Sequence, residues 1–274
     1  MKHFSLTAAF LWVIICANAQ TLFPSVSFDP ISVTTIAGSG ISGFADGPGS
    51  TAKFGYIPGI AILNGSLFVT DSYNNRIRKI SADGAVSTFA GTGTGGLVDG
   101  PAATAQFNYP FSICADKTGN LYVNDFFGSA IRKITPDGIV STILKAGSGA
   151  AASNPYFSPC LAIDDAGNLY LSQSNNIFKL TPAGAFSVFA SNVGGNNGAY
   201  ELSGLAVNAQ GDVCVIQYYN QTLKISSSGV VSTVMPSINN LSNGLAADKK
   251  GNVFVSNIER DNTGGTRLPR FHLP

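Results

Sequence analysis

The chain has 274 residues, 45% hydrophobic and only 11% charged, with 31 glycines and 13 prolines. That is enough apolar material for a sizeable core, so disorder is excluded, and the abundance of turn formers points to an all-β chain. Sixteen Lys and Arg stand against 15 Asp and Glu with no basic run, which leaves no electrostatic footprint for nucleic acid or an anionic membrane surface.

In chain order, the stretch MKHFSLTAAFLWVIICANAQ reads first as a targeting segment. Lys2 and His3 give a basic start, Phe4 to Cys16 an apolar run, and Ala17-Asn18-Ala19 a small-x-small cleavage site. The apolar run is too short to span a bilayer, and no later segment is apolar for long enough. The expected organisation is a signal peptide at 1–19, a leader at 20–32, a repeat domain at 33–265 and an irregular tail at 266–274. The product is then secreted, extracellular or periplasmic. Loss of Lys2 balances its charge at 15 basic and 15 acidic residues.

The segment SVTTIAG (32–38) opens the repeat region and matches VSTFAG (86–91). It leads into a long glycine-rich loop, TIAGSGISGFADGPGSTAKFGYIPG (35–59), which returns as TFAGTGTGGLVDGPAATAQFNYPF (88–111). Five further segments align with one another: PGIAILNGSLFVTD (58–71), FSICADKTGNLYVND (111–125), PCLAIDDAGNLYLSQ (159–173), SGLAVNAQGDVCVIQ (203–217) and NGLAADKKGNVFVSN (243–257). Their turn glycines, Gly65, Gly119, Gly167, Gly211 and Gly251, are 54, 48, 44 and 40 residues apart. After each of the first four comes a run ending in Lys-Ile or Lys-Leu, a turn, and a fourth run such as VSTFA. Short β-branched runs joined by tight glycine turns are hairpins, and four per period of forty to fifty residues is the pattern of a β-propeller blade. About five blades are visible. A lone fourth strand at 32–38 is what ring closure needs, because it can complete the C-terminal sheet and remove exposed edges.

GNLYVND (119–125), YNNRIRKI (73–80) and AGTGTGGLVDGPAATAQFNYP (90–110) together resemble the NHL-repeat family of β-propellers, over roughly residues 33–257. The resemblance implies a ring, commonly of six blades, whose members mostly bind proteins, glycans or other ligands; some relatives are enzymes. The departure is at the C-terminus, where IERDNTGGTRLPRFHLP shows no recognisable third strand. A shortened repeat array without activity of its own is therefore one reading of the chain.

Catalytic residues are not expected. The histidines are His3, in the signal segment, and His272, near the C-terminus, so nucleophilic triads and a His-rich zinc site lack their bases and ligands. The stretch Gly91 to Gly96 does not open a helix, so it is not a phosphate loop. Cys114, Cys160 and Cys214 each sit in an apolar run and read as buried thiols. No cofactor is expected. Resemblance to gluconolactonase-like propellers implies one alternative, a lactonase- or lyase-like enzyme holding a divalent metal such as Ca²⁺ through Asn243 and Glu201. Asn64, Asn220 and Asn240 fit the glycosylation acceptor pattern.

Two charge pairs stand out. Asp71 and Asp125 end second strands in blades whose third strands carry Arg78 and Arg132, whereas the next two blades have Gln173 and Gln217 with Phe178 and Leu223. Acid and base are kept or lost together, as buried partners within a blade would be. The remaining candidates lie on one face, where blade-to-blade loops emerge beside loops joining second and third strands. Asp46, Tyr73, Asp99, Tyr109, Phe126 and Phe127, with Tyr156 and Tyr200, are expected to contact a protein or glycan partner there. Within the long loops, Phe54 and Phe107 read as anchors, while Asp46 and Asp99 read as turn residues bonding nearby backbone.

Overall fold

The computed structural model describes residues 34–147, 160–193, 202–208, 210–217, 221–235, 241–248, 253–258 and 270–272. The signal segment, the leader, Glu201, Tyr156 and Tyr200 lie outside the described residues. Every described element falls in the unit Ile36–Pro274, and none is an α-helix.

The architecture is an all-β propeller. Blade 1 is a sheet of β1 (Ile60–Leu63), β2 (Ser66–Asp71), β3 (Arg76–Ile80) and β4 (Val86–Ala90), paired antiparallel in that order. Blade 2 is preceded by a short strand β5 (Gly100–Pro101) and comprises β6 (Pro110–Ala115), β7 (Leu121–Asp125), β8 (Ala130–Ile134) and β9 (Ile139–Lys145). Blade 3 contains β10 (Leu161–Ile163), β11 (Leu169–Gln173), β12 (Asn176–Leu180) and β13 (Phe186–Ala190). Blade 4 contains β14 (Leu202–Val207), β15 (Val213–Gln217), β16 (Thr222–Ile225) and β17 (Val231–Met235). The fifth repeat forms a three-stranded sheet of β18 (Leu241–Ala247), β19 (Val253–Ile258) and β20 (Arg270–His272).

Each second strand is apolar on both faces because a blade is covered on both sides. All five residues of LYVND, LYLSQ and VCVIQ are buried. The hairpins entering these strands are locked locally. Asp116 Oδ1 accepts from the backbone N–H groups of Thr118 and Asn120, and Oδ2 accepts from Asn120 Nδ2 at 2.7 Å and Tyr122 Oη at 3.0 Å. Asp164, Asn168 and Tyr170 repeat this arrangement one blade on.

First strands of successive blades pack side by side, β1 on β6, β6 on β10, β10 on β14 and β14 on β18. Apolar clusters fill each junction. Thr70 Oγ1 and Ser72 Oγ of blade 1 each donate at 2.6 Å to a blade 2 carbonyl, Phe111 O and Pro110 O. At Gly59 the backbones are so close that a Cβ would meet Phe111 O and Thr70 Oγ1.

Three sequence expectations change here. Residues 34–38 are irregular, and the fifth sheet is β18, β19 and β20 alone, so no closing strand is formed by the described part of 32–38. Gly38 N instead donates to Gly49 O within the first long loop. Within the stretch read as an irregular tail, Arg270–His272 forms β20, because β19 offers it a free edge and pairs Val255 with His272 and Asn257 with Arg270. Finally, each long loop is more than a connector: its Asp-Gly turn lies along the outermost strand of the following blade. Gly100 and Pro101 pair with Val140 and Ile139, and Gly47 bridges Val86 in the same way. Gly47 and Gly100 have φ of 126° and 125°, a region that strains any residue with a Cβ.

Candidate functional site

The two charge pairs are parts of larger clamps. In blade 1, Arg78 is fully buried and its Nη1 donates to Asp71 Oδ2 at 2.7 Å. Its Nη2 donates to Asp46 Oδ1 at 2.6 Å, and the guanidinium also meets the carbonyls of Lys53 and Ala45. Blade 2 repeats the set: Arg132 reaches Asp125 at 2.9 Å, Asp99 at 2.8 Å, and the carbonyls of Gln106 and Val98. Planar guanidinium donors suit this convergence of carboxylates and carbonyls. The rings of Phe54 and Phe107 lie beneath the two guanidiniums, at 4.9 and 5.0 Å.

Asp46 and Asp99 therefore do not stand free as ligand contacts, nor do they cap their own turns. Asp46 Oδ2 accepts from Thr88 N and Thr88 Oγ1, both at 3.0 Å, and Asp99 takes the equivalent bonds from Thr142. These residues are remote in sequence, because the loop folds onto the outer strand. Burial alone would raise both carboxyls, but the bonds to Arg78 and Thr88 hold Asp46 below its ordinary value, and those to Thr142 and Arg132 do the same for Asp99. Asp125 differs. Its burial outweighs the bonds from Asn108 N and Arg132 and lifts it to about 6.

The inner carboxylates fix the far end of each loop. Asp71 Oδ1 accepts from Gly55 N at 2.8 Å, and Asp125 Oδ1 from Asn108 N at 2.6 Å. One residue beyond each of these bonds stands a tyrosine, Tyr56 or Tyr109. Tyr109 is held at φ 61°, in the left-handed region, by Asn75 Oδ1 accepting from its N–H and by Phe126 N donating to its carbonyl. Around it the structure gathers Tyr73, Phe126 and Phe127. Tyr109 lies 5.8 Å from Tyr73, 4.7 Å from Phe127 and 6.5 Å from Phe126, between ring centroids. Tyr56 and Phe111 complete a contiguous group of six rings, spanning blades 1 and 2. Tyr56, Tyr73 and Phe127 are exposed, Tyr73 by 67%. Burial, and then the Tyr73 hydroxyl beside it, push the Tyr109 phenol above its ordinary value.

Sequence reasoning brought forward four of these rings and missed Tyr56 and Phe111. The signal for Tyr56 was present: the offset of 53 residues that matches Phe54 to Phe107 also matches Tyr56 to Tyr109. Of the alternative metal residues, Asn243 lies on β18, and Glu201 is outside the described residues. Among the described residues, no three His, Cys, Asp or Glu side chains converge as a metal cage would require. Cys160 and Cys214 are buried and in no disulfide, Cys160 Sγ donating to Leu202 O, and Cys114 is partly buried; burial chiefly pushes the thiols of Cys114 and Cys214 up, to about 11 for Cys214.

No protein-family model matches the chain. A stretch of 91 residues, 32% of the chain, is 36% identical to the chloroplastic protein SUPPRESSOR OF QUENCHING 1 of Arabidopsis thaliana, and spans only 9% of that relative's length. Among solved structures, the nidogen/laminin complex matches 78% of the chain and 79% of its own, at 16% identity and a TM-score of 0.57. Virginiamycin B lyase from Staphylococcus aureus matches 77% of the chain and 68% of its own, at 14% identity and a TM-score of 0.54. The extracellular domain of a two-component system protein from B. thetaiotaomicron matches 75% of the chain and 26% of its own, at 16% identity and a TM-score of 0.53. At these identities the likeness is one of fold.

Proposed function

We propose that this chain is a secreted, non-enzymatic β-propeller of the NHL type that captures a protein partner on the aromatic face of blades 1 and 2. The observation that carries this reading is the six-ring cluster, held by Asp–Arg–Asp clamps on two buried arginines and centred on a tyrosine in a rarely occupied backbone conformation. Strained, over-determined positions cluster at binding and catalytic sites. Tyrosine and phenylalanine at the centre of a patch are the residues that anchor protein interfaces. The charges beneath the rings are already matched to one another, so the face selects by shape and apolar contact.

Secretion is supported by the signal-like segment at 1–19 and by the extracellular neighbour, and a protein partner by the nidogen/laminin neighbour. The NHL assignment rests on the repeat motifs, and no cofactor enters the reading. In the test, the mature chain and a Tyr73→Ala/Phe127→Ala variant are compared for binding to proteins of the source's extracellular fraction, with dissociation constants measured for each captured protein. The variant is expected to bind at least tenfold more weakly, about 1.4 kcal/mol or more, with an unchanged melting temperature. Equal affinity of the two proteins, or binding confined to a glycan array, overturns the reading. So does stoichiometric Ca²⁺ binding that Asn243→Ala abolishes, which would replace it with a metal-dependent enzyme.

A further inference from the structure

Every blade junction in this chain is built from the same two half-faces. Ile60, Ile113, Leu161, Leu205 and Leu245 occupy one register position, opposite the central residue of the second strand. In blades 2, 3 and 4 this residue is covered by the preceding blade, so Ile113, Leu161 and Leu205 are only 5%, 7% and 8% exposed. The residue after it points the other way, toward the following blade. Ala61, Ala162 and Ala206 at that position are 8%, 8% and 7% exposed, each beside an aromatic or Cys on the second strand.

The two end faces break this rule. On blade 1, Ile60 is 61% and Ile62 is 72% exposed. On the fifth sheet Ala246 is exposed and its partner Phe254 is half-buried, where Ala61 and Phe68 are buried. One molecule thus carries an uncovered Ile-type half-face and an uncovered Ala/Phe-type half-face. These are the two halves of the junction that the chain makes internally between each pair of successive blades. Among the described residues, the fifth sheet, though part of the same chain, leaves Ile60 and Ile62 exposed. Neither half-face carries a charged residue at these positions.

We infer that the blade 1 face is an interface for a second copy of this chain, which seats its Ala246–Phe254 face over Ile60 and Ile62. The contact is a continuation of the blade stack across molecules. It is head-to-tail, so it joins unlike surfaces and propagates into short chains or closed rings. Its core is the apolar packing already seen between β1 and β6.

The test uses sedimentation of the mature chain over micromolar concentrations. The mass of wild type is expected to rise to twice that of one chain or more, and Ile62→Lys and Ala246→Lys are each expected to stay single. Both positions are exposed, so circular dichroism and melting temperature are expected to match wild type; Ile60→Thr serves as a milder variant of the same face. Each Lys variant retains one intact half-face, so mixing the two yields dimers and nothing larger. A wild type that stays at one chain's mass overturns the inference, including the case in which its own fifth sheet covers blade 1. Self-association that survives both Lys variants, or a mixture that forms no dimers, also overturns it.

Discussion

The two buried arginines decide more of this molecule than any other residues. Arg132 has no exposed side-chain surface and answers two carboxylates and two carbonyls. Removing Asp125 alone leaves a buried guanidinium short of a partner, which typically costs about 3–5 kcal/mol. Asp125→Leu with Arg132→Met is expected to cost less than the two single changes added together, measured from urea unfolding midpoints. The carboxyls also give two opposite pH signatures. Burial lifts Asp125 to about 6 in the fold, so its contribution to stability is present below the unfolded value of about 4 and is lost as pH rises through about 6. The margin of wild type over Asp125→Asn should accordingly shrink across that window in thermal melts. Asp116 behaves conversely. Burial would raise it, but Asn120, Thr118 and Tyr122 hold it at about 2, so its contribution is present above about 4 and fades as pH falls toward 2. Asp116→Asn should flatten the loss of stability in that acidic range.

At the scale of elements, the repeated loop changes its meaning once folded. As sequence it is a connector; as structure it is an extra edge strand for the blade that follows, tied by Gly47 and Gly100 and locked by Asp46 and Asp99. The hairpin strands were legible because a glycine turn and apolar alternation recur within a few residues. The buried pairing of Asp71 with Arg78 was legible because both belong to one hairpin. Asp46 was not, since it meets Arg78 across 32 residues and no local periodicity links a loop carboxylate to a strand two hairpins on. The closing strand failed for a related reason: SVTTIAG has the composition of a fourth strand, but its described residues, 34–38, pair with no strand, and Gly38 bonds within the first long loop instead. The tight approach at Gly59 yields a prediction at this scale. Gly59→Ala should separate blades 1 and 2 and cost about 1–3 kcal/mol, and Thr70→Val, which loses the bond to Phe111 O, about 1 kcal/mol; chemical denaturation measures both.

At the scale of the whole molecule, the two halves are held by different means. Blades 1 and 2 carry charge clamps, whereas blade 3 puts Phe178 in the arginine position, stacked on Phe186 at 5.1 Å, and blade 4 puts Leu223 there. The aromatic face and the clamps therefore share one half, and the loops on that face are tied down by the ion pairs of Arg78 and Arg132. The propeller class could be read from periodicity alone, but the number of complete blades could not: four repeats form full blades, and the fifth forms a three-stranded sheet among the described residues. The six-ring patch was read only in part: Tyr56 could have been found from the 53-residue offset to Tyr109, whereas Phe111, on a first strand, joins the patch only through packing against Phe126, Tyr109 and Tyr56.

The extra edge strand also sets the order in which the molecule comes apart. The outward amides of β4 and β9 are occupied by Gly47, Asp46 and Asp99. Within the described residues, β13 and β17 pair on one side only. Hydrogen exchange followed by mass spectrometry should then find peptides of β13 and β17 deuterated well before those of β4 and β9. A protease acting on the partly opened molecule should leave a resistant N-terminal fragment that still bears the aromatic face.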